Sequence, residues 1–186
     1  MKSNERFSAA WILSLCLVCV TGCASYPAMT KTGPLEYGPD YAVVNFIRPS
    51  ILGSAIAFGI WDRARPVGVI TPECCIQYKA DPGEHVFLAR SENWSAVKAN
   101  LASGKTYTIL VEPRLGFWKA RVHLTVIKPG DKRLQEWMKG VTYLTIDPER
   151  RDAYNKRLDT AAERAAKKVD TGTIQPDGIL SPEDGE

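Results

Sequence analysis

The chain has 186 residues, with 24 Lys and Arg against 21 Asp and Glu, a formal charge of +3. That near balance speaks against nucleic acid as a partner, which calls for a strongly basic face, and the length allows one ordinary domain. With five cysteines, two of them in the apolar N-terminal stretch, no disulfide framework is expected.

Residues 1–22 read as a targeting segment. Lys2 and Arg6 form a basic start, and the apolar run Ala9 to Val20 is too short to span a bilayer, which takes roughly 20 residues. It ends in Val20-Thr21-Gly22-Cys23, which resembles the lipobox of bacterial lipoprotein precursors, with Val20 where Leu is usual. Small residues at 21 and 22 let a peptidase grip extended backbone, and the thiolate of Cys23 can take a diacylglyceryl group as a thioether. The resemblance implies a signal peptide over 1–22, lipidation of Cys23 and palmitate-like acyl chains that make the membrane a partner. Two or more chains give stable anchoring at about 0.8 kcal/mol per buried methylene. Ala24, where Asp would signal retention at the inner membrane, favours the outer membrane facing the periplasm by analogy.

Residues 23–40 are rich in Pro and Gly without a period and read as a flexible tether. From Tyr41 the pattern turns to short β-runs separated by turn residues. They are Tyr41 to Arg48 (apolar on both faces, hence central), Ala55 to Asp62, Pro66 to Ile70 and Cys74 to Lys79. After the turn Asp81-Pro82-Gly83 come Glu84 to Arg90, an edge segment Ser95 to Leu101, and Lys105 to Glu112. Trp118 to Ile127 alternates most cleanly, Trp118, Ala120, Val122, Leu124 and Val126 opposing Lys119, Arg121, His123 and Thr125. It reads as an antiparallel strand with one wet face. The fold class is mainly β, an antiparallel β-sandwich over 41–129.

A helical extension follows over 130–169. Asp131 caps a short helix with Leu134, Trp137 and Met138 on one face, stopped by Gly140. A brief extended piece, Val141 to Ile146, leads to Asp147-Pro148, a strong helix start. The longer C-terminal helix carries Tyr154, Leu158, Ala161, Ala165 and Val169 at spacings of three and four, an alanine-rich stripe suited to close packing. Residues 170–186 are acidic, rich in Pro and Gly, and read as a disordered tail.

Three ordered segments carry a family resemblance: Asn45-Phe46-Ile47-Arg48-Pro49-Ser50 with Gly53-Ser54-Ala55, Asp81-Pro82-Gly83-Glu84-His85, and Ala102-Ser103-Gly104-Lys105-Thr106-Tyr107. Over about residues 41–129 they resemble the bacterial lipoprotein family catalogued as domain of unknown function 2846, with a fainter likeness to PEGA-type β-domains. The resemblance implies an antiparallel sandwich in the cell envelope and brings no catalytic residues. Arg63-Ala64-Arg65-Pro66 after Asp62, and the Cys74-Cys75 pair, depart from the family pattern.

No constellation points to chemistry. Cys74 and Cys75, adjacent on a strand, face opposite ways: Cys74 packs with Ile76 and Tyr78, and Cys75 sits beside Gln77 and Lys79, where an exposed thiol could bond a partner. His85 and His123 are the only histidines, too few for a zinc site of three or four ligands; His85 reads as part of a hairpin and His123 as a surface residue. There is no Gly-x-Ser-x-Gly. Catalytic residues, metal and cofactor are therefore all expected to be absent. Trp118 is expected in the core, and Trp94, in Ser-Glu-Asn-Trp-Ser, in a loop. The candidate partner contacts are Trp94, Lys119, Arg121 and His123. The last three line a strand face that would suit an anionic envelope component, or the chain's own helix or acidic tail (Asp177, Glu183, Asp184, Glu186). The expected function is a non-enzymatic, lipid-anchored envelope module that binds a protein or glycan; the alternative is a periplasmic hydrolase with a cryptic site.

Overall fold

A computed structural model of the chain describes residues 29–36, 38–115, 120–147 and 156–186. The elements are β1 (Met29–Lys31), β2 (Ala42–Arg48), β3 (Phe58–Asp62), β4 (Arg65–Ile70), β5 (Cys74–Ala80), β6 (Gly83–Arg90) and β7 (Trp94–Leu101). They continue with β8 (Thr106–Leu115), β9 (Ala120–Ile127), α1 (Lys132–Lys139), β10 (Thr142–Ile146), α2 (Lys156–Asp170) and β11 (Gly178–Leu180). The strands form two sheets, ordered β1-β10-β5-β2-β8-β9 and β11-β7-β6-β3-β4.

The sheets face each other across one core. Alternate residues of β2, Ala42, Val44 and Phe46, meet Phe58, Ile60, Phe87 and Val97 of the other sheet. The rings of Phe46 and Phe87 cross edge to face at 5.3 Å, a contact worth about 0.5–1.5 kcal/mol beyond its buried area. β2 is buried along its whole length, as its two apolar faces predict. Its outward-facing Ile47 lies with Cys75, Leu110 and Ile127 beneath Leu134, Trp137 and Met138 of α1. Asp131 caps α1 by accepting from the Arg133 N–H, and Gly140 closes it. On the far side Ala162, Ala165, Ala166 and Val169 of α2 pack on Trp61, Val86, Leu88 and Ala96. The small side chains let the helix axis come close to the sheet. Gly59 is required beneath the Trp61 indole, since a Cβ there would collide with the ring.

The sandwich expectation holds, but its sheets are mixed. β2 runs parallel to β8, β10 to β5 and β11 to β7. Parallel neighbours need long crossovers, and these are supplied by the excursion through the second sheet, by α1 and by α2. Residue 129 is therefore no boundary, because β10 and β11 complete the two sheets. β7, expected at an edge, is covered by β11.

Two segments read as unstructured are ordered. Within the expected tether, Met29–Lys31 pairs with β10, and the Met29 sulfur accepts from the Val69 N–H at 3.3 Å, closing the edge of β4. Within the expected disordered tail, Leu180 is buried, and Lys105 Nζ donates to the Pro182 and Gly185 carbonyls. Lys128 pairs with Asp184 at 2.7 Å, and Glu186 exchanges backbone hydrogen bonds with Thr106. One tail carboxylate, Asp184, is thus matched by a lysine, and Lys105 holds the tail through its backbone carbonyls. The start of the second helix at Asp147-Pro148, the signal segment and Cys23, and Trp118 and Lys119 lie outside the described residues, apart from Asp147 itself.

Candidate functional site

Of the predicted row Lys119, Arg121 and His123, the last two are described, and they turn to different surroundings. Arg121 is exposed and lies opposite the exposed Arg114 across the strand pair, two like charges that repel. His123, expected at the surface, is turned to the chain itself: its Nδ1 is 3.2 Å from Asp177 Oδ1. The other oxygen of Asp177 accepts from the Ser95 hydroxyl and from the Ala96 N–H, and Ser95 Oγ accepts the Leu124 N–H at 2.7 Å. The acidic tail thus reaches His123, one of the occupants its charge suggests.

Trp94 is not in a loop. It opens β7, half-buried, with its ring edge to face with Trp61 at 5.7 Å. Opposite it on β6, Arg90 lays its guanidinium 5.4 Å from the Trp94 ring centre. Arg90 also borders a groove of 650 Å³ whose other walls are Arg157, Leu158, Thr160, Ala161 and Arg164 of α2. Arg157 and Arg164 are seven residues apart, two helical turns, and so share a face. No carboxylate lines this groove among the described residues. Asp159, on the same helix, accepts from the Trp61 indole N–H at 3.2 Å. Sequence reasoning missed this cluster: the seven-residue spacing was visible on a predicted helix, but its meeting with Arg90 depends on how α2 lies on the sheet.

The groups with the most reactive chemistry are committed to architecture. His85 Nδ1 lies 2.8 Å from Asp62 Oδ2 and Nε2 lies 2.8 Å from the Asp81 carbonyl. A carbonyl only accepts, so Nε2 carries a proton. The Asp62 hydrogen bond raises the His85 pKa above its ordinary value, and the ring is held as a clamp between Asp62 and the Asp81 carbonyl. Tyr78 donates to the same Asp62 oxygen at 3.0 Å, and burial raises its pKa strongly. Cys74 packs in the main core and Cys75 under α1. An exposed Cys75 is thereby corrected: it is fully buried, and burial, with Cys74 second, pushes its thiol up to about 12. Buried thiols of this kind are inert. No group of three His, Cys, Asp or Glu side chains is placed to hold a metal ion among the described residues, and no described helix is long and apolar enough to cross a membrane.

The motif residues are also structural. Arg48, fully buried, donates to the Ile56, Leu52 and Gly53 carbonyls at 2.6–2.9 Å and lies 4.7 Å from the Phe58 ring centre. It braces a loop whose tip shows Ile51 and Leu52 to solvent, 67% and 54% exposed. Gly104 turns with φ +72, a conformation glycine takes without strain. The Tyr107 hydroxyl accepts from the Ala102 N–H and donates to the Pro182 carbonyl. No protein family, curated protein or solved structure matches the chain.

Proposed function

We propose that this chain is a lipid-anchored protein of the bacterial cell envelope, held through acylated Cys23 at the outer membrane and facing the periplasm. Its β-sandwich serves as a non-catalytic binding module for a protein or glycan partner. Membership of the family of domain of unknown function 2846 belongs to the same proposal and is supported by the ordered motif set around Arg48, Gly83 and Gly104. The anchor is supported by Val20-Thr21-Gly22-Cys23 after the short apolar run.

The observation that carries the binding reading is a contrast in how polar groups are used. His85, His123, Asp62, Asp177 and both described cysteines bond or pack within the fold, whereas a concave face bordered by arginines opens outward. The position of β1 adds a constraint. Only residues 24–28 separate Cys23 from the first strand, a reach of about 20 Å when fully extended. The sandwich would therefore ride close to the bilayer instead of standing off on a longer tether.

Two measurements test this. Palmitate-analogue labelling in cells should mark the protein, and Cys23→Ala should lose the label and leave the membrane fraction; retention by the variant would overturn the anchor. Photo-crosslinking probes at Arg164 and Arg121 should give a discrete adduct at one position. None at either would overturn the binding module.

A further inference from the structure

We infer that the groove between α2 and the end of β6 is a phosphoryl-binding site, with Arg90 and Arg164 as its paired guanidinium ligands. This deepens the binding-module reading and rests on it.

Arg90 arrives from the sheet and Arg164 from the helix, so the two forks approach one 650 Å³ space from different walls. That volume suits a small ligand or the head of a larger one. Arg90 is pre-oriented by the Trp94 ring, itself fixed against Trp61, which lowers the entropy lost when it grips an anion. Arg164 is exposed on α2, and the nearby Glu163 carboxylate is paired with Lys167 at 3.7 Å, one turn along. Thr160 adds a hydroxyl to the wall, although its own donor already goes to the Lys156 carbonyl, leaving its oxygen to accept. Arg157 makes a further interaction within the chain and contributes background charge.

The charge match selects the ligand class. A single carboxylate carries one negative charge and would leave one guanidinium unmatched. A phosphomonoester or pyrophosphate carries about two or more near neutral pH and presents several acceptor oxygens in the geometry that guanidinium forks match in pairs. Leu158 and Ala161 give the wall apolar ground, so the phosphoryl group is expected at the end of a larger molecule. A lipid headgroup and a soluble phosphorylated sugar share this chemistry.

The test uses the full chain purified in neutral detergent. Inorganic pyrophosphate, titrated by calorimetry at low salt, should bind saturably. Arg164→Gln should weaken binding at least tenfold, Arg90→Gln with Arg164→Gln should abolish it, and Lys139→Gln, exposed on α1 over the other sheet, should leave it unchanged. Circular dichroism and urea midpoints check that the variants fold. Vesicles of phosphatidylcholine with and without phosphatidate then separate the sources. Arginine-dependent binding to the phosphatidate vesicles identifies a headgroup, and binding of soluble pyrophosphate alone identifies a free ligand. Absence of binding, or equal weakening in Lys139→Gln, would overturn the inference. If a discrete crosslinked adduct persists in that case, the phosphoryl site falls and the binding module stands; if both fail, both readings fall.

Discussion

The side-chain amide of Asn93 pairs with both backbone groups of Val122, donating from Nδ2 to its carbonyl at 2.8 Å and accepting its N–H at Oδ1 at 3.0 Å. β9 lies at the edge of its sheet, and an open edge invites association with other chains. Ser91 Oγ donates to the Ala120 carbonyl on one side, and Ser95 Oγ takes the Leu124 N–H on the other. Three side chains from one strand entry thus stand in for a missing neighbour strand and close the sandwich along that side.

Asn93→Ala should therefore leave a buried N–H and carbonyl without partners, at a cost of about 1–3 kcal/mol. Urea denaturation measures it, and light scattering should show a new tendency to associate. Asn93→Asp, which sets a carboxylate oxygen against the Val122 carbonyl, should lose at least as much near pH 7 and recover part of it in acid, where the protonated oxygen can donate again. Equal stability in all three proteins would show that water serves the edge as well as Asn93 does.

Arg48 is the next weak point. Burial lowers its pKa, yet its three carbonyl partners order residues 49–57. Arg48→Met fills similar volume and removes the buried charge, so global stability should change less than loop order. Hydrogen exchange should speed up at Ile56, whose N–H bonds the Gly53 carbonyl, with the sheet amides unaffected. Arg48→Ala, which also leaves a cavity, should cost about 3 kcal/mol or more.

The His85 clamp predicts a pH dependence with a definite sign. Its folded pKa lies above the ordinary 6.5, chiefly through Asp62. Its stabilising contribution is therefore complete below the unfolded value of 6.5 and is lost as pH rises through the folded value. Urea midpoints should fall across that rise, while those of His85→Gln should stay nearly level. Parallel profiles in the two proteins would assign the dependence to another group.

Cys75 gives a kinetic readout of α1. With its thiol fully buried and raised to about 12, labelling by a maleimide near pH 8 should be slow and rise with urea as the helix leaves the sheet. Trp137→Ala removes part of the cover over Cys75 and should accelerate labelling with little change in the global urea midpoint. Rapid labelling of Cys75 in the native protein would contradict its burial.

Much of the layering was legible in the sequence. The alternation in residues 120–127 separates core-facing Val122 and Leu124 from Arg121 and His123. The double-faced run to Arg48 marks the buried central strand, and Asp131 and Gly140 bracket α1. Of the predicted stripe on α2, Leu158, Ala165 and Val169 lie against Trp61 and Leu88, joined by Ala162 and Ala166, while Ala161 borders the groove instead. Each is a local signal, because a side chain's period records which face is covered. The same period says nothing about which strand lies alongside. The parallel neighbours of β2, β5 and β7 are contacts between residues far apart in the chain, and only the assembled sheets select them. Met29–Lys31 and Gly178–Leu180 show no strand pattern because their order is borrowed from the edges of β10 and β7. The candidate site follows the same division. Trp94 and the basic character of α2 can be read from the chain, but the approach of Arg90 to Arg164 exists only once the helix has packed, since burial of the alanine stripe sets which of its arginines overhang the sheet.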